Sequence, residues 1–299
     1  MKKVIGIDLG GTSIHGGLID ESGKILKRSM KDSRAQEGRK KVLDRISQVV
    51  EELIKGEKIE AIGIGSPGFI NTEEGRVLSI GGNIEGWAHT HIREELKNRF
   101  KDIPIFVEND ANAAAICESW LGAAKGLDSF IMLTLGTGVG GGIYSKESGI
   151  WHGKNYQGAE LGHAILYPSG RQCNCGQKGC VEQYISGNAI EKTYYDMTGK
   201  NLKGKDIFKI SQEDEYAKMA VEKYTEDLGT YLISIKNIFD PEGIIIGGGV
   251  INSKQYWWDN TVKYYNENCN NPEGTVILPA EYLNDSGMIG AAKVAFNNI

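Results

Sequence analysis

The chain has 299 residues, of which 40% are hydrophobic and 24% are charged. This composition is typical of a folded globular protein, and it excludes intrinsic disorder, a collagen-like fibre and a small disulfide-rich scaffold. The formal net charge of -5 gives no electrostatic reason to expect nucleic acid or an anionic membrane as a partner.

The basic start of the chain, Met1–Lys3, is not followed by the apolar core of a secretory signal. No segment approaches the roughly 20 consecutive apolar residues that a membrane-spanning helix needs. We therefore expect a cytoplasmic protein whose five cysteines are reduced thiols.

The first third of the chain predicts an antiparallel meander, a helix and two further strands. Short apolar strands near residues 4–7, 17–19 and 25–26 are separated by turns that contain glycine. Apolar residues recur at helical spacing from Arg39 to Lys55, and Gly56 is a typical helix stop. The later strands 61–64 and 105–107 are followed by Gly65-Ser66-Pro67-Gly68 and Glu108-Asn109-Asp110, so polar residues gather at strand ends.

The second half repeats the opening pattern. A strand at 131–135 runs into a glycine-rich turn at 136–142 and a returning strand at 143–144. A long amphipathic helix from about Ala217 to Phe239 then precedes the apolar strand 244–246. Two similar halves of mixed strands and helices predict a two-domain α/β protein with a cleft between the domains.

Each half contains a glycine turn suited to phosphate. Leu9-Gly10-Gly11-Thr12 and Gly136-Thr137-Gly138 would let backbone N–H groups approach phosphate oxygens, because glycine leaves them unobstructed and permits positive φ. Either turn alone is better interpreted as a tight hairpin. The matching pair is what a protein that binds a polyphosphate with both halves would need.

Two common nucleotide motifs are excluded. Gly136, Gly138 and Gly141 have the spacing of a dinucleotide-binding fingerprint, but that motif opens a helix, whereas residues 142–145 predict a strand. Gly153-Lys154 lacks the Ser or Thr and the upstream glycine of a P-loop.

A cysteine cluster predicts a metal site. Cys173, Cys175 and Cys180 follow His163 within eighteen residues, and Cys3His is a tetrahedral zinc-binding set. The alternative is a chance cluster of free thiols. Since four protein ligands would complete the coordination sphere, the zinc would be structural. Cys117 and Cys269 are interpreted as packing residues.

These segments resemble the ROK sugar kinases (repressor, open reading frame, kinase). The resemblance covers essentially the whole chain, and the matching segments are Asp8–Thr12, Gly65–Gly68, Glu108–Asn112, Leu135–Gly142, Gly158–His163 and Cys173–Glu182. It implies the two-domain actin-like ATPase fold, an α/β architecture that duplicates a ribonuclease H-like unit around a cleft. The expected domains are residues 1–115, joined by a C-terminal helix at about 286–299, and residues 116–285 with the zinc-binding loop.

The resemblance implies that Asp110 is the catalytic base, which takes a proton from a sugar hydroxyl as that hydroxyl attacks the γ-phosphate of ATP. From the residues alone, Asp110 is equally well interpreted as an N-cap of the alanine-rich segment that follows it. The sugar-binding positions that the resemblance implies are Gly65, Gly68, Asn83, Asn109, Glu160, His163 and Glu182. Outside the motif, Glu160 and Glu182 would be interpreted as solvated surface acids.

The resemblance also implies the sites of nucleotide and metal. Asp8 would engage Mg2+ or its waters, and His163 would direct one ring nitrogen to zinc and the other to sugar. The positions that match ATP-binding elements are Asp8, Gly10, Gly11, Thr12, Thr137, Gly138 and Gly248. A homodimer is implied, with a hexose and ATP as partners and with neither nucleic acid nor a membrane.

Two departures from the family pattern concern the substrates. Ser13 stands where many members have a lysine that helps to neutralise phosphate, and Gly81-Gly82 stand before Asn83 where glucokinase-like members often have proline. We predict ATP-dependent phosphorylation of a hexose at its 6-hydroxyl, with glucose favoured and N-acetylmannosamine, N-acetylglucosamine or fructose as alternatives.

A non-enzyme function is the other alternative. The family includes sugar-responsive repressors, whose DNA-binding segment precedes the first glycine turn; here that turn begins at Asp8, and we expect no such segment. The alternative is therefore a sugar sensor without a DNA-binding domain, which Asp110 and the two phosphate turns disfavour.

Overall fold

The computed structural model describes residues 1–79 and 84–299 and divides them into two compact units. Unit 1 comprises residues 1–125, 152–158 and 284–299, and unit 2 comprises residues 126–151 and 159–283. Asn83, predicted to bind sugar, lies outside the described residues. Within the described part of the chain, no helix is both long enough and apolar enough to cross a membrane.

Unit 1 is built on a five-stranded mixed sheet in the order β3-β2-β1-β4-β7. Its strands are β1 (Lys3–Leu9), β2 (Ser13–Asp20), β3 (Ile25–Asp32), β4 (Ala61–Ser66), β5 (Phe69–Asn71), β6 (Arg76–Ser79) and β7 (Ile105–Asn109). Its helices are α1 (Arg39–Ile54), α2 (Ile92–Lys97), α3 (Asp110–Trp120) and α9 (Ser286–Asn297). The strands β1, β2 and β3 form the predicted antiparallel meander, β4 and β7 continue the sheet in parallel, and β5 and β6 form a separate hairpin.

The apolar face of α1 forms one side of the core of unit 1. Val42, Ile46, Val49 and Val50 are fully buried, and the helix ends before Gly56, which has a positive φ of 74°. The periodicity of this segment therefore predicted the helix to within one residue.

The C-terminal helix α9 packs closely on the other side of the same sheet. A Cβ atom at Gly6 of β1 would lie 2.0 Å from the Met288 oxygen, and one at Gly63 of β4 would lie 1.8 Å from the Ala291 oxygen. Gly290 approaches Ala113 of α3 equally closely. These glycines let the backbone of α9 touch the sheet and α3. Helix α9 therefore belongs to unit 1, although it follows unit 2 in the chain.

Unit 2 repeats this sheet topology in the order β10-β9-β8-β11-β12. Its strands are β8 (Ser129–Leu135), β9 (Val139–Ser145), β10 (Gly149–Ile150), β11 (Gly243–Gly247) and β12 (Val276–Pro279). Its helices are α4 (Glu182–Ile185), α5 (Gly187–Thr198), α6 (Gly204–Ile210), α7 (Glu215–Phe239) and α8 (Trp258–Asn268). As in unit 1, the first strands are antiparallel, and β11 is parallel to both β8 and β12.

The long helix α7 forms the centre of the core of unit 2. Tyr224, Leu228, Leu232 and Ile235 are buried along one face, together with Trp257. The strand β9 begins directly after the glycine turn, which agrees with the exclusion of a dinucleotide-binding helix at this position. The predicted domain boundary at residue 115 falls inside α3, which continues to Trp120 without a break.

Candidate functional site

In unit 1, the polar residues at the end of β7 lie at the start of α3. Asn109 is the N-cap of α3, since its Oδ1 accepts the N–H groups of Ala111 at 2.9 Å and Asn112 at 3.1 Å. The interpretation of Asp110 as the N-cap is therefore wrong, because Asp110 is the first residue of the helix itself. The Nδ2 of Asn109 donates to the Gly68 oxygen at 3.1 Å, which ties the ends of two predicted sugar-binding segments together.

Two carboxylates of unit 1, Asp110 and Asp8, have raised pKa values. Burial, and then the nearby charge of Asp8, raise the pKa of Asp110 to about 7. Burial alone raises the pKa of Asp8 to about 6. Asp8 pairs with Gly65 in the β1–β4 ladder, and a Cβ atom at Gly65 would lie 3.7 Å from the Cα of Asp110. A carboxyl group with a pKa near 7 can both take and release a proton at neutral pH.

Each of the two predicted phosphate turns connects a pair of antiparallel strands. The Gly10 N–H donates to the Ser13 oxygen across the β1–β2 turn, which also contains Gly11 and Thr12. Gly10, Gly136 and Gly138 do not adopt the positive φ that glycine permits. A Cβ atom at Gly138 would lie 2.3 Å from Oε2 of Glu182, the flexible end of that side chain. Positive φ occurs instead at Gly68 (99°) and Gly248 (82°).

In unit 2, the predicted zinc ligands lie together. The ligand atoms of His163, Cys173, Cys175 and Cys180 are all within 4.8 Å of one another. The Sγ atoms of Cys175 and Cys180 are 3.6 Å apart, and Cys173 Sγ lies 3.8 Å from Nδ1 of His163. Tetrahedral Zn–S bonds of about 2.3 Å would separate the sulfur atoms by about 3.8 Å. The cluster therefore fits a closed tetrahedral zinc ion with no open coordination position.

The predicted sugar-binding acids surround this cluster. Nδ1 of His163 faces the cysteines, while its Nε2 lies 3.8 Å from a carboxylate oxygen of Glu160. Oε2 of Glu182, the first residue of α4, accepts the N–H of Val139 at 2.9 Å. Glu182 is thus half-buried and joins the cysteine loop to the glycine turn, so it is not a solvated surface acid.

A cavity of about 400 Å³ opens in unit 2 beside the glycine turn. Gly136, Thr137, Phe208, Gly249 and Val250 contribute a mixture of exposed backbone and apolar surface to its wall. Gly248, predicted to bind ATP, directly precedes this wall at the end of β11. Small-molecule pockets commonly combine apolar walls with a few directed polar groups.

Each unit therefore brings one group of predicted residues together. In unit 1 the group is Asp8, Gly65, Gly68, Asn109 and Asp110, and in unit 2 it is Gly138, Glu160, His163, Glu182, Cys173, Cys175 and Cys180. Thr137 belongs to the cavity wall.

Sequence reasoning missed two sets of residues in these regions. The cavity is also lined by Gly187, Asn188, Glu191, Lys203, Gly204, Lys205 and Ser253, which no motif connects. Glu108 and His152 form a hydrogen bond of 2.8 Å beside Asn109, although 44 positions separate them in the chain. Glu108 could have been found from the sequence because it stands next to Asn109. Nothing in the sequence marked His152.

The repeated mixed sheets, with a hairpin turn after the first strand of each, define an actin-like ATPase fold of the sugar-kinase class. The chain belongs to the ROK family, whose family model matches residues 4–298.

Relatives of known name or structure match over nearly the whole chain. The glucokinase of Thermotoga maritima is 34% identical over 98% of this chain and 96% of its own length. The crystal structure of a ROK hexokinase from Thermus thermophilus has a TM-score of 0.89 and 33% identity, covering 99% of this chain and 98% of that one. A ROK family glucokinase from Streptomyces griseus, solved in complex with glucose and AMPPNP, has a TM-score of 0.85 and 32% identity, covering 99% of each chain.

Proposed function

We propose that this protein is an ATP-dependent hexose kinase that transfers the γ-phosphoryl group of ATP to the 6-hydroxyl of glucose. The observation that carries the proposal is Asp110, a carboxylate of raised pKa at the start of α3 and beside the Asn109–Gly68 contact. Relatives named glucokinase match almost the whole chain, and one was solved with glucose and an ATP analogue.

The proposed base is Asp110. Phosphoryl transfer depends mainly on positioning and on electrostatic stabilisation, so the protein needs one group that orients the hydroxyl and accepts its proton. With a pKa of about 7, the Asp110 carboxylate is largely ionised at a slightly basic pH and still basic enough to take that proton. The Ala111 N–H holds one carboxylate oxygen at 2.9 Å and fixes its orientation.

Asp8 is the residue of unit 1 that fits a divalent cation. Carboxylate oxygen is a preferred Mg2+ ligand, and a carboxylate whose burial raises its pKa to about 6 is stabilised by a nearby cation. Mg2+ would supply positive charge for the phosphate oxygens of ATP. Gly11 and Thr12 would offer backbone N–H groups in the turn that follows this carboxylate, since the Gly10 N–H already donates to the Ser13 oxygen.

The nucleotide is assigned to unit 2. The glycine turn at Gly136–Gly138 and the cavity of about 400 Å³ beside it offer backbone donors for phosphate and an apolar wall, including Phe208 and Val250, for a nucleoside. Gly248, with its positive φ, lets β11 turn sharply into this wall.

The sugar hydroxyls are assigned to Asn109, Glu160, His163 and Glu182, with Gly65, Gly68 and Asn83 as further predicted contacts. Amides, carboxylates and an imidazole donate and accept directional hydrogen bonds, as a polyol requires. Zinc on His163 and the three cysteines would fix the loop that carries these groups. It would supply structural support only, because the four ligands complete its coordination sphere.

A coupled ADP-release assay tests the proposal. ADP release should require sugar, and kcat/KM should rank glucose above N-acetylglucosamine, N-acetylmannosamine and fructose, with glucose 6-phosphate as the product. A higher kcat/KM for another sugar would replace glucose as the substrate. Sugar binding without any sugar-dependent ADP release would refute the kinase and leave the sensor.

A further inference from the structure

Glu108 is a buried carboxylate close in sequence to the proposed base. It is the fourth residue of β7, two positions before Asp110, and only 4% of it is exposed. One carboxylate oxygen accepts the Asn109 N–H at 2.8 Å and the Asn112 Nδ2 at 3.0 Å. The other oxygen lies 2.8 Å from Nε2 of His152. A carboxylate this far from water needs such partners, because desolvation otherwise makes its charge costly.

His152 reaches Glu108 from a different part of the chain. The loop 152–158 belongs to unit 1, whereas the residues on either side of it belong to unit 2. The Gly158 N–H donates to the His152 oxygen at 2.8 Å and closes the loop. The hydrogen bond to Glu108 raises the pKa of His152, so the ring carries its proton more readily and the pair is charge-assisted.

We infer that Glu108 and His152 are positioning residues, which hold the backbone of Asn109 and Asp110 in the orientation that sugar phosphorylation needs. The inference rests on the proposed functions of Asn109 and Asp110. It adds two residues that contact neither sugar nor nucleotide in this proposal.

The bonds around Asn109 show how the pair would act. The Asn109 side chain caps α3 and reaches the Gly68 oxygen, and its backbone N–H donates to the Glu108 carboxylate. Glu108 can hold that N–H only while its carboxylate lies over the peptide that follows it, towards the start of α3. Asn112 fixes the carboxylate from one side and His152 from the other.

Loss of His152 would leave the Glu108 carboxylate fixed by Asn112 from one side only, and its hydrogen bond to the Asn109 N–H would weaken. Asn109 carries the side-chain amide that would bind sugar, and Asp110 carries the carboxylate that would take the proton of the sugar hydroxyl. A displacement of about 1 Å at a reacting group can lower a rate by about a hundredfold. We therefore expect a measurable effect on both sugar binding and turnover.

A merely structural ion pair would give a different result. Loss of stability lowers the amount of active enzyme and hence the apparent kcat, but each remaining active molecule keeps its normal KM. A positioning pair changes KM for sugar together with kcat, while KM for ATP stays unchanged. The ratio of the two KM values therefore separates the two interpretations.

The test uses His152→Ala and His152→Gln in the full-length chain, with His91→Ala as the matched control. His91 is a half-exposed histidine of unit 1 that lies 3.8 Å from a glutamate, Glu94, and has no assigned function. We expect His152→Ala to lower kcat/KM for glucose by about tenfold or more, with an increase of several-fold in KM for glucose. His152→Gln should recover most of this loss, because its amide N–H can still donate to Glu108.

Glu108→Gln provides a second measurement: it keeps an oxygen for the Asn109 N–H but replaces the oxygen that faces His152 with an NH2 group, and it should also raise KM for glucose. If that variant does not fold, the two His152 variants decide the question. Equal effects of His152→Ala and His91→Ala, or a kcat that falls with unchanged KM for glucose, would overturn the inference.

Asp110→Asn distinguishes failure of this inference from failure of the proposed function. An inactive Asp110→Asn beside a normal His152→Ala would remove the positioning pair and leave the base in place. An active Asp110→Asn beside an impaired His152→Ala would overturn the assigned base, while the pair would still position Asn109.

Discussion

Replacing Asp110 with Asn separates two consequences of the same carboxylate, its catalytic function and its effect on stability. The Asn side chain retains an oxygen that can accept the Ala111 N–H, now at 2.9 Å, so the start of α3 should keep its structure. It cannot accept the sugar proton, and we expect kcat to fall by roughly two to four orders of magnitude. Sugar binding should largely survive.

The same substitution should lower kcat but raise the free energy of unfolding. The folded state raises the pKa of Asp110 from 3.8 to about 7, so it holds the proton more tightly than the unfolded chain does. The stability associated with the neutral carboxyl is fully present below pH 3.8 and is lost as the pH rises through about 7. At about 1.4 kcal/mol per pKa unit, the ionised form costs at most about 4 kcal/mol.

Since Asp110 is only half-buried, solvent screens part of this cost, and we expect Asp110→Asn to raise the free energy of unfolding by about 2 kcal/mol at pH 8. This difference in the free energy of unfolding between the variant and the parent protein should shrink steadily towards pH 4. Urea denaturation at several pH values, without sugar, nucleotide or Mg2+, measures it. Asp102→Asn, on an exposed turn of unit 1, is the control and should show no such trend.

Two results would refute this reasoning. Near-normal turnover of Asp110→Asn would show that the base is another residue. A loss of stability that is the same at every pH would show that the carboxylate supports the fold and carries no ionisation cost.

Three further predictions concern other parts of the two units. Cys175→Ser should lose a zinc content of about one ion per chain and raise KM for sugar more than KM for ATP, and metal analysis beside sugar titration checks this; a zinc-free protein of unaltered sugar affinity would contradict it. Thr137→Val should raise KM for ATP by about tenfold through loss of a hydroxyl donor at the cavity while KM for glucose stays within about twofold in steady-state kinetics; an unchanged KM for ATP would contradict it. Gly290→Ala should cost about 2–4 kcal/mol in urea denaturation, because its Cβ would lie 1.7 Å from the Ala113 oxygen, and a cost below about 1 kcal/mol would argue against the close packing of α9 on α3.

Local signals account for the parts of the fold that the sequence predicted well. The helix over Arg39–Ile54 follows from apolar spacing and from a glycine stop, both of which act within one segment. The strand β7 and the polar residues after it follow from a short apolar run that ends abruptly. The cysteine cluster was equally visible, because zinc ligands recur at short spacings.

The features that escaped prediction depend on contacts between distant segments. His152 and Glu108 meet across 44 positions, and no local pattern marks such a pair. The reason for glycine at Gly6 and Gly63 was not visible either, since the constraint is the backbone of α9. A sequence shows that a small residue stands at a position, but only the packing shows what would otherwise collide with a side chain there.

The two sheets share their topology but not their charged residues, and this asymmetry explains why the acid–base chemistry is assigned to unit 1. The β1–β4 and β8–β11 ladders align Asp8 with Thr134, and continuing the register of the next strands aligns Asp110 with Tyr282. Each carboxylate of raised pKa thus has an uncharged counterpart in unit 2. A second pair of carboxylates beside a polyphosphate would repel it, whereas one base suffices for one proton. The duplicated fold can therefore offer two turns for the proposed binding of phosphate while only one of them lies beside a carboxylate of raised pKa.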